Sequence, residues 1–217
     1  IKVSQAAQTH AGTYYLVDGE GWINASDLSR IDNRIEAVQK VLNEKYNNQE
    51  RISVYVKQLD TDRVAAINDE KSMYAASVAK LGVLYYAQER LSQKKLSLSD
   101  EYQYTSAVNG FPGAYDPDGS GKISKMPDDK NYSLENLLKA VAQNSDNVAT
   151  NILGYYVTNQ YDKAFQKSVD KAAATSWNMD KKELTARAAG TLMEAVYRQN
   201  GDIINYLSSC LLYTSDA

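Results

Sequence analysis

The hydrophobic patterns of this 217-residue chain predict an α+β protein, in which helices pack against an antiparallel sheet. One pattern is a stripe of apolar residues three and four positions apart, which predicts a helix ending near residues 47–48: Leu28, Ile31, Ile35, Val38 and Leu42. Directly after it, apolar and polar residues alternate over 52–57, and a turn at 60–62 leads into a second strand at 63–67. This second pattern predicts an antiparallel hairpin. With 43% apolar residues, the chain can build a substantial core.

The remaining elements follow in chain order. Short β segments at 13–17 and 22–24 are separated by a turn at 18–21, and a second helix is predicted from Ser77 onward. Residues 104–131 hold all 3 prolines together with several glycines, which predicts a long surface loop. Ser133 then caps a helix, a polar corner at 144–147 interrupts it, and a further helix restarts at Val148. The last predicted helix runs from about 185 to 197 and stops at Asn200–Gly201.

Composition excludes several classes of function. The formal net charge of −3 gives no electrostatic basis for binding nucleic acid, and no apolar run approaches the roughly 18 residues of a spanning helix. A single cysteine, Cys210, allows neither an intrachain disulfide nor a thiolate metal cluster. The only histidine, His10, lies in a polar stretch and is expected to be solvated, so a serine hydrolase built on this chain would use another base. No metal and no cofactor are expected.

The segment Ser77-Val-Ala-Lys80 carries the first chemical signal. On a helix, a spacing of three residues places both side chains on one face, within reach of each other. Ser77 would open that helix, where free N–H groups favour an oxyanion, and Lys80 would take the hydroxyl proton if burial kept it neutral. The sequence Ser-x-x-Lys also arises by chance on amphipathic helices, so a second element is needed.

Ser145-Asp146-Asn147 supplies that second element, on the polar corner between two helices. Ser145 offers a hydroxyl for proton relay, and Asn147 offers a carboxamide that can hold a substrate amide. Asp146 is interpreted as the N-cap of the helix that begins at Asn147 rather than as a catalytic group.

The two motifs, in this order and with their flanks, resemble the penicillin-recognising serine enzymes, which include the class A β-lactamases and the penicillin-binding transpeptidases. The resemblance spans about residues 30–200 and implies a sandwich of helices and a five-stranded antiparallel sheet. It implies that Ser77 is the acylated nucleophile, Lys80 its activating partner, Ser145 a proton relay toward the leaving nitrogen, and Asn147 a ligand of the substrate amide. The implied substrate is a β-lactam or a D-alanyl peptide of the peptidoglycan stem.

This sequence departs from the family pattern in two places. Class A enzymes carry a deacylating Glu in an E-x-x-L-N pattern, and no such pattern occurs between Thr158 and Arg187. The acidic candidates there are Asp162, Asp170, Asp180 and Glu183, and Glu183 is expected to flank the helix entered at Thr185. The resemblance therefore implies slow hydrolysis of the acyl-enzyme.

The second departure is that no Lys-Thr-Gly or Lys-Ser-Gly follows Asn147. The family places this triplet on a later strand, so we expect a chain truncated before three of the sheet strands. The ending 210–217 resembles a translated sequencing adapter and is expected to be foreign to the fold. Such a chain would expose a hairpin edge and unpaired core, which predicts aggregation and little activity of its own.

The N-terminal stretch 14–28 resembles the closing strands of bacterial SH3-like or GW-type cell-wall modules, the alternative being a hairpin of the main domain. We therefore expect three regions: a partial wall module at 1–28, a serine hydrolase domain at 29–209, and the tail at 210–217. Cell-wall polymer would be a partner of the first region, and the whole would be an extracytoplasmic monomer whose leader segment is not in this sequence. A catalytically idle wall-binding protein is the alternative to an enzyme.

The loop also contains Asp116-Pro-Asp-Gly-Ser-Gly-Lys-Ile123, which is similar to the first half of an EF-hand calcium loop. Relative position 12 is Pro127 rather than Glu, and no paired helices are predicted beside it, so a polar turn is favoured over calcium binding. Tyr115, next to this segment, is the one tyrosine singled out as a contact in the substrate cleft.

Overall fold

A computed structural model describes residues 3–28 and 32–209 of the chain. The helices are α1 (Arg34–Tyr46), α2 (Leu81–Ser92), α3 (Leu134–Asn144), α4 (Asn147–Tyr156), α5 (Lys163–Ala173), α6 (Ala186–Gln199) and α7 (Asp202–Ser208). The strands are β1 (Val3–Thr9), β2 (Gly12–Val17), β3 (Gly21–Asn24), β4 (Val54–Gln58), β5 (Arg63–Ile67), β6 (Met73–Tyr74), β7 (Glu101–Gln103), β8 (Asn131–Ser133) and β9 (Glu183–Leu184). All pairings given for these strands are antiparallel, which confirms the predicted α+β class.

The N-terminal strands form a separate three-stranded sheet in the order β1-β2-β3. Tyr15 pairs with Ile23, and the turn between β2 and β3 is closed by the Glu20 N–H, which donates to the Val17 carbonyl at 3.0 Å. The two β segments predicted at 13–17 and 22–24 are confirmed. Strand β1 was not predicted, because its alternation of small and polar residues gives little hydrophobic signal.

Helix α1 packs on the β4–β5 hairpin, and together they bury Ile35, Leu42 and Ala65. The hairpin agrees with the prediction, but the helix starts later than the stripe from Leu28 suggested. Leu28 follows a 3₁₀ turn in extended backbone, and Ile31 lies outside the described residues. The helix begins at Arg34, whose N–H is accepted by the Asp32 carboxylate at 3.1 Å.

The main core surrounds α2, which contacts α3, α4, α5, α6 and α7. On α2, Val83 and Ala87 are fully buried, and Gly82 lies under the indole of Trp177. A Cβ at Gly82 would come within 2.6 Å of the indole nitrogen, which donates to the Ala79 carbonyl at 3.1 Å. Glycine at this position therefore lets Trp177 hold the segment that leads into α2.

The segment 104–131 is a loop with mostly exposed residues, as its prolines and glycines predicted, but four of its side chains pack inward. Tyr104 and Val108 are fully buried, Phe111 and Tyr115 are nearly so, and residues 106–109 form a 3₁₀ turn against α4. Strands β7 and β8 close the two ends of the segment by pairing. Glycine and proline mark turns, but they do not show whether the side chains between the turns pack inward.

Two helices, α5 and α7, were not predicted from the sequence. Helix α5 buries only Phe165, Val169 and Ala173 and is capped by Asp162, whose carboxylate accepts the Ala164 and Phe165 N–H groups. Helix α7 starts directly after the predicted stop at Gly201. Within the described ranges, no helix has the length and apolar character needed to span a bilayer.

Candidate active site

Ser77 lies in a 3₁₀ turn, Ala76–Lys80, that leads directly into α2. The turn is fixed from behind, because β6 pairs with β9 and the Ala75 N–H donates to the Lys182 carbonyl at 2.7 Å. Ala76 has a φ of 45°, a left-handed conformation that is costly for a residue with a Cβ. Ser77 itself is exposed. Helix α2 begins at Leu81, four residues after the predicted start, so Ser77 lies in the 3₁₀ turn before the α-helix and not at its first position.

Lys80, one turn further on, is buried at 3% exposure. Its Nζ donates to the Ser145 carbonyl at 2.5 Å, to Ser145 Oγ at 3.0 Å and to Asn147 Oδ1 at 2.6 Å. These three acceptors match the three N–H donors of an ammonium group. The structure thus brings Lys80, Ser145 and Asn147 together, 65 and 67 residues apart in sequence, beside the turn that carries Ser77.

Lys80 does not hydrogen bond to Ser77 in this arrangement; its three hydrogen bonds within the described residues all go to the 145–147 corner. Both side chains nevertheless line one cavity, together with Ser145. Catalytic hydrogen bonds are often formed only in the substrate complex, so Lys80 can exchange one of its acceptors for the serine hydroxyl.

Burial lowers the pKa of Lys80 to about 8, because the charged form loses its hydration. The carboxylate of Asp146 opposes this decrease, and the ammonium of Lys182 adds to it. With a pKa near 8, roughly a tenth of Lys80 is neutral at pH 7. A neutral lysine can accept a proton. A lysine with an ordinary pKa is neutral only in strongly basic solution.

The Ser145–Asn147 corner is held by Asp146, which is fully buried. Ser145 ends α3 in a left-handed conformation with φ 51°, and Asp146 caps α4 by accepting the Ala149 N–H at 2.9 Å. The cap predicted from the sequence is therefore confirmed. The other carboxylate oxygen accepts the N–H groups of Lys122 and Ile123, at 2.6 and 2.9 Å.

The calcium-like segment 116–123 is thus fastened to the corner. Besides the bonds to Asp146, Asn147 Nδ2 donates to the Asp116 carbonyl at 2.7 Å, and the Asn147 N–H donates to the Ser120 carbonyl at 2.8 Å. A Cβ on Gly119 would lie 2.3 Å from Asn147 Nδ2. The glycines of this segment let its backbone approach the corner closely. This close approach explains the glycine positions that make the segment similar to a calcium loop.

Tyr115 is buried beside Lys80 and is not among the residues that line the cavity, so its predicted contact with substrate stays a prediction. Its ring centroid is 4.7 Å from Lys80 Nζ and 4.5 Å from Lys182 Nζ, and its hydroxyl donates to the Ala76 carbonyl at 3.3 Å. The side chain is 8% exposed, and burial raises the pKa of its phenol far above the ordinary value. Tyr115 is therefore a neutral platform that connects both lysines to the nucleophile turn.

The cavity beside Ser77 has a volume of about 880 Å³ and is mostly apolar. Ser77, Lys80 and Ser145 are among the polar residues that line it. The rest is supplied by β4, α2, α6 and neighbouring segments, with side chains such as Tyr55, Leu81, Leu84, Leu184 and Met193. Reactive polar groups on a mostly apolar cavity are typical of small-molecule sites.

The acidic candidates for deacylation have other contacts. Asp162 caps α5, and Asp170 accepts the Trp177 N–H at 2.7 Å and the Gln166 side chain at 2.6 Å. Glu183 is exposed on β9, and Asp180 is exposed before it. Among the described residues that line the cavity there is no carboxylate.

The residue that the sequence analysis missed is Lys182. It is 9% exposed, whereas its neighbour Lys181 is exposed. Nothing in the sequence distinguishes the two lysines, because the contacts that bury Lys182, with the Gly113 carbonyl and the Tyr115 ring, form only in the folded chain.

Comparison with known proteins identifies the family. The family model described as the Beta-lactamase enzyme family matches residues 33–213, and the chain belongs to this family. No match is found among curated proteins.

Solved structures show the same fold at low sequence identity. PBP-A is 13% identical with a TM-score of 0.65, over 81% of this chain and 69% of that one. The β-lactamase of Sphaerobacter thermophilus is 15% identical with a TM-score of 0.61, over 84% and 71%. Penicillin binding protein 5 of Haemophilus influenzae is 17% identical with a TM-score of 0.55, over 71% and 45%. The mixed helix and antiparallel-sheet fold is therefore that of β-lactamases and penicillin-binding proteins.

Proposed function

We propose that the protein forms an acyl-enzyme at Ser77 with β-lactams, and that it is a serine hydrolase acting on β-lactams or D-alanyl peptides. The observation that carries this proposal is the buried Lys80, held by Ser145 and Asn147 one helical turn from an exposed serine on the same cavity. Membership of the Beta-lactamase enzyme family supports it. A PBP-A variant of the same fold, 14% identical to this chain, was solved as an acyl-enzyme complex with penicillin G.

The geometry supports a specific order of proton transfers. Neutral Lys80 Nζ takes the proton of Ser77 Oγ, and the oxygen attacks the carbonyl carbon of the lactam. The carbon–nitrogen bond then breaks, and the leaving nitrogen takes the proton of Ser145 Oγ. Lys80, 3.0 Å from Ser145 Oγ, returns its proton to that oxygen, so the site ends neutral with one ester formed and one amide broken.

Asn147 keeps its role as a ligand of the substrate amide in this proposal. Its Oδ1 accepts from Lys80, and one of its two Nδ2 hydrogens is used by the Asp116 carbonyl. The second Nδ2 hydrogen is the donor for the substrate carbonyl, as the family resemblance implied.

The fate of the acyl-enzyme separates two activities. Because the described cavity lining holds no carboxylate to activate water, we expect slow deacylation, as in a D,D-peptidase-type penicillin-binding protein. A β-lactamase would instead release opened penicillin repeatedly.

The chain would act outside the cytoplasm, where peptidoglycan and β-lactams are met. The sheet β1-β2-β3 contributes nothing to the two hydrophobic clusters, which supports a separate wall-binding region at 1–28.

Intact-mass spectrometry after incubation with penicillin G tests the proposal. We expect the protein mass to increase by one whole penicillin molecule and to return to its original value only over hours. Rapid product formation without a lasting adduct would assign β-lactamase activity. Neither adduct nor product, in a sample whose near-UV circular dichroism shows a packed core, would favour the idle wall-binding alternative.

A further inference from the structure

Lys182 is fixed at the rear of the site by three contacts. Its carbonyl accepts the Ala75 N–H at 2.7 Å, two residues before Ser77, and its Nζ donates to the Gly113 carbonyl at 3.1 Å. Its ammonium also lies 4.5 Å from the ring centroid of Tyr115. The side chain is therefore buried and held in one place, unlike an ordinary surface lysine.

Two buried lysines thus share one tyrosine ring. Lys80 Nζ and Lys182 Nζ are each within 4.7 Å of the Tyr115 centroid, so they are at most about 9 Å apart. Among the described residues, no carboxylate lies within 4 Å of either nitrogen, although ion pairs are common elsewhere in the structure. The two positive charges therefore repel each other with no carboxylate in direct contact. Burial also lowers the pKa of Lys182, and the carboxylate of Asp180, farther away, opposes this decrease.

The groups that face Lys80 come from three segments. The α3–α4 corner contributes Asp146 as an attractive charge and Ser145 and Asn147 as neutral acceptors. The loop before that corner contributes neutral Tyr115, and the segment before β9 contributes Lys182. Only Lys182 opposes a positive charge on Lys80 among these side chains.

We propose that Lys182 is a positioning residue for acylation. Its fixed ammonium on the Tyr115 ring disfavours a second positive charge on Lys80 Nζ, so that this nitrogen can take the Ser77 proton. This inference rests on the proposed function, because Lys80 needs to be neutral only if it takes the Ser77 proton. Desolvation is the main cause that lowers the pKa of Lys80, and repulsion by Lys182 acts in the same direction. Two unit charges about 9 Å apart at an effective dielectric constant near 20 change a pKa by about one unit.

The test compares Lys182→Met with Lys182→Arg, which keeps the charge, and with Lys181→Met, which removes an exposed neighbouring charge. Two quantities are measured against pH in each variant. One is the rate of adduct formation with penicillin G. The other is the titration of the Lys80 side chain, followed by the ¹³Cε signal of labelled lysine and assigned from its loss in Lys80→Arg. The second quantity needs no substrate.

Removing the charge of Lys182 should raise the pKa of Lys80, so the acid limb of the acylation profile should move up by about one pH unit. At pH 7, Lys182→Met should acylate about tenfold more slowly, and near pH 10 it should match the wild type. Lys182→Arg and Lys181→Met should titrate as the wild type does.

An unchanged Lys80 titration in Lys182→Met would overturn the inference, including when the acylation rate falls equally at every pH, since that result indicates only a structural role. A shifted titration together with no adduct in any variant would support the coupling of the two lysines and refute the proposed function. The two failures are therefore distinguishable.

Discussion

Replacing Lys80 by Met is expected to lower the rate of Ser77 acylation by penicillin G by about 10³-fold or more. Lys80 is the residue whose buried amine contacts Ser145 and Asn147, one turn after Ser77, and the variant removes this amine. Without it, no neutral base takes the serine proton, and Ser145 is not reprotonated. The rate of adduct formation at pH 8, from quenched samples read by intact mass, measures the effect.

Lys80→Arg separates the loss of the base from the loss of the positive charge. Arginine keeps a positive charge and several donors toward Ser145 and Asn147, but its guanidinium is not deprotonated in proteins. The account therefore predicts a loss as large as in Lys80→Met. The exposed Lys181→Met serves as the control and should acylate at the wild-type rate. Acylation by Lys80→Met within about threefold of wild type would show that another group activates the serine.

Replacing Asp146 by Ala is expected to lower the free energy of unfolding by about 3 kcal/mol or more. Asp146 is fully buried and accepts three backbone N–H groups, from Lys122, Ile123 and Ala149. Its removal ends the cap of α4 and also leaves two donors of the 116–123 segment without their acceptor. Urea unfolding followed by the fluorescence of buried Trp177 measures the loss.

Asp162→Ala is the matched control for this prediction. Asp162 is also an aspartate at a helix N-cap, but both of its backbone bonds, to Ala164 and Phe165, lie within its own helix α5. Its loss should cost about 1 kcal/mol. Equal costs for the two variants would contradict the assignment of Asp146 as the residue that fastens the 116–123 segment to the corner.

Most of the fold could be predicted from hydrophobic periodicity. The β4–β5 hairpin and helices α2, α3, α4 and α6 all have clear period-two or period-3.6 patterns. Helix α5 also has a period near 3.6, since its buried residues Phe165, Val169 and Ala173 are four positions apart, but it was not among the predicted helices. The burial of Tyr115 could not be predicted, because it depends on Asn151 of α4 and on Lys80 and Lys182, which the tyrosine contacts in the folded chain.

The candidate site was predictable to the extent that it consists of short motifs. Ser77, Lys80, Ser145 and Asn147 were all selected from spacing and resemblance, and the structure places the last three in direct contact. A motif does not indicate how the side chains around it are oriented. The contact of Asp146 with Lys122 and the inward position of Lys182 result from tertiary packing, and no local pattern indicates them.

The most direct test of the account is to locate the penicillin adduct. Cleavage after Lys71 and Lys80 releases one peptide, 72–80, that contains both Ser77 and Ser72, and fragmentation of this peptide distinguishes them. The account predicts that the whole penicillin mass is on Ser77, that Ser77→Ala forms no adduct, and that Ser72→Ala forms it at the wild-type rate. An adduct on another residue, or one that persists in Ser77→Ala, would contradict it.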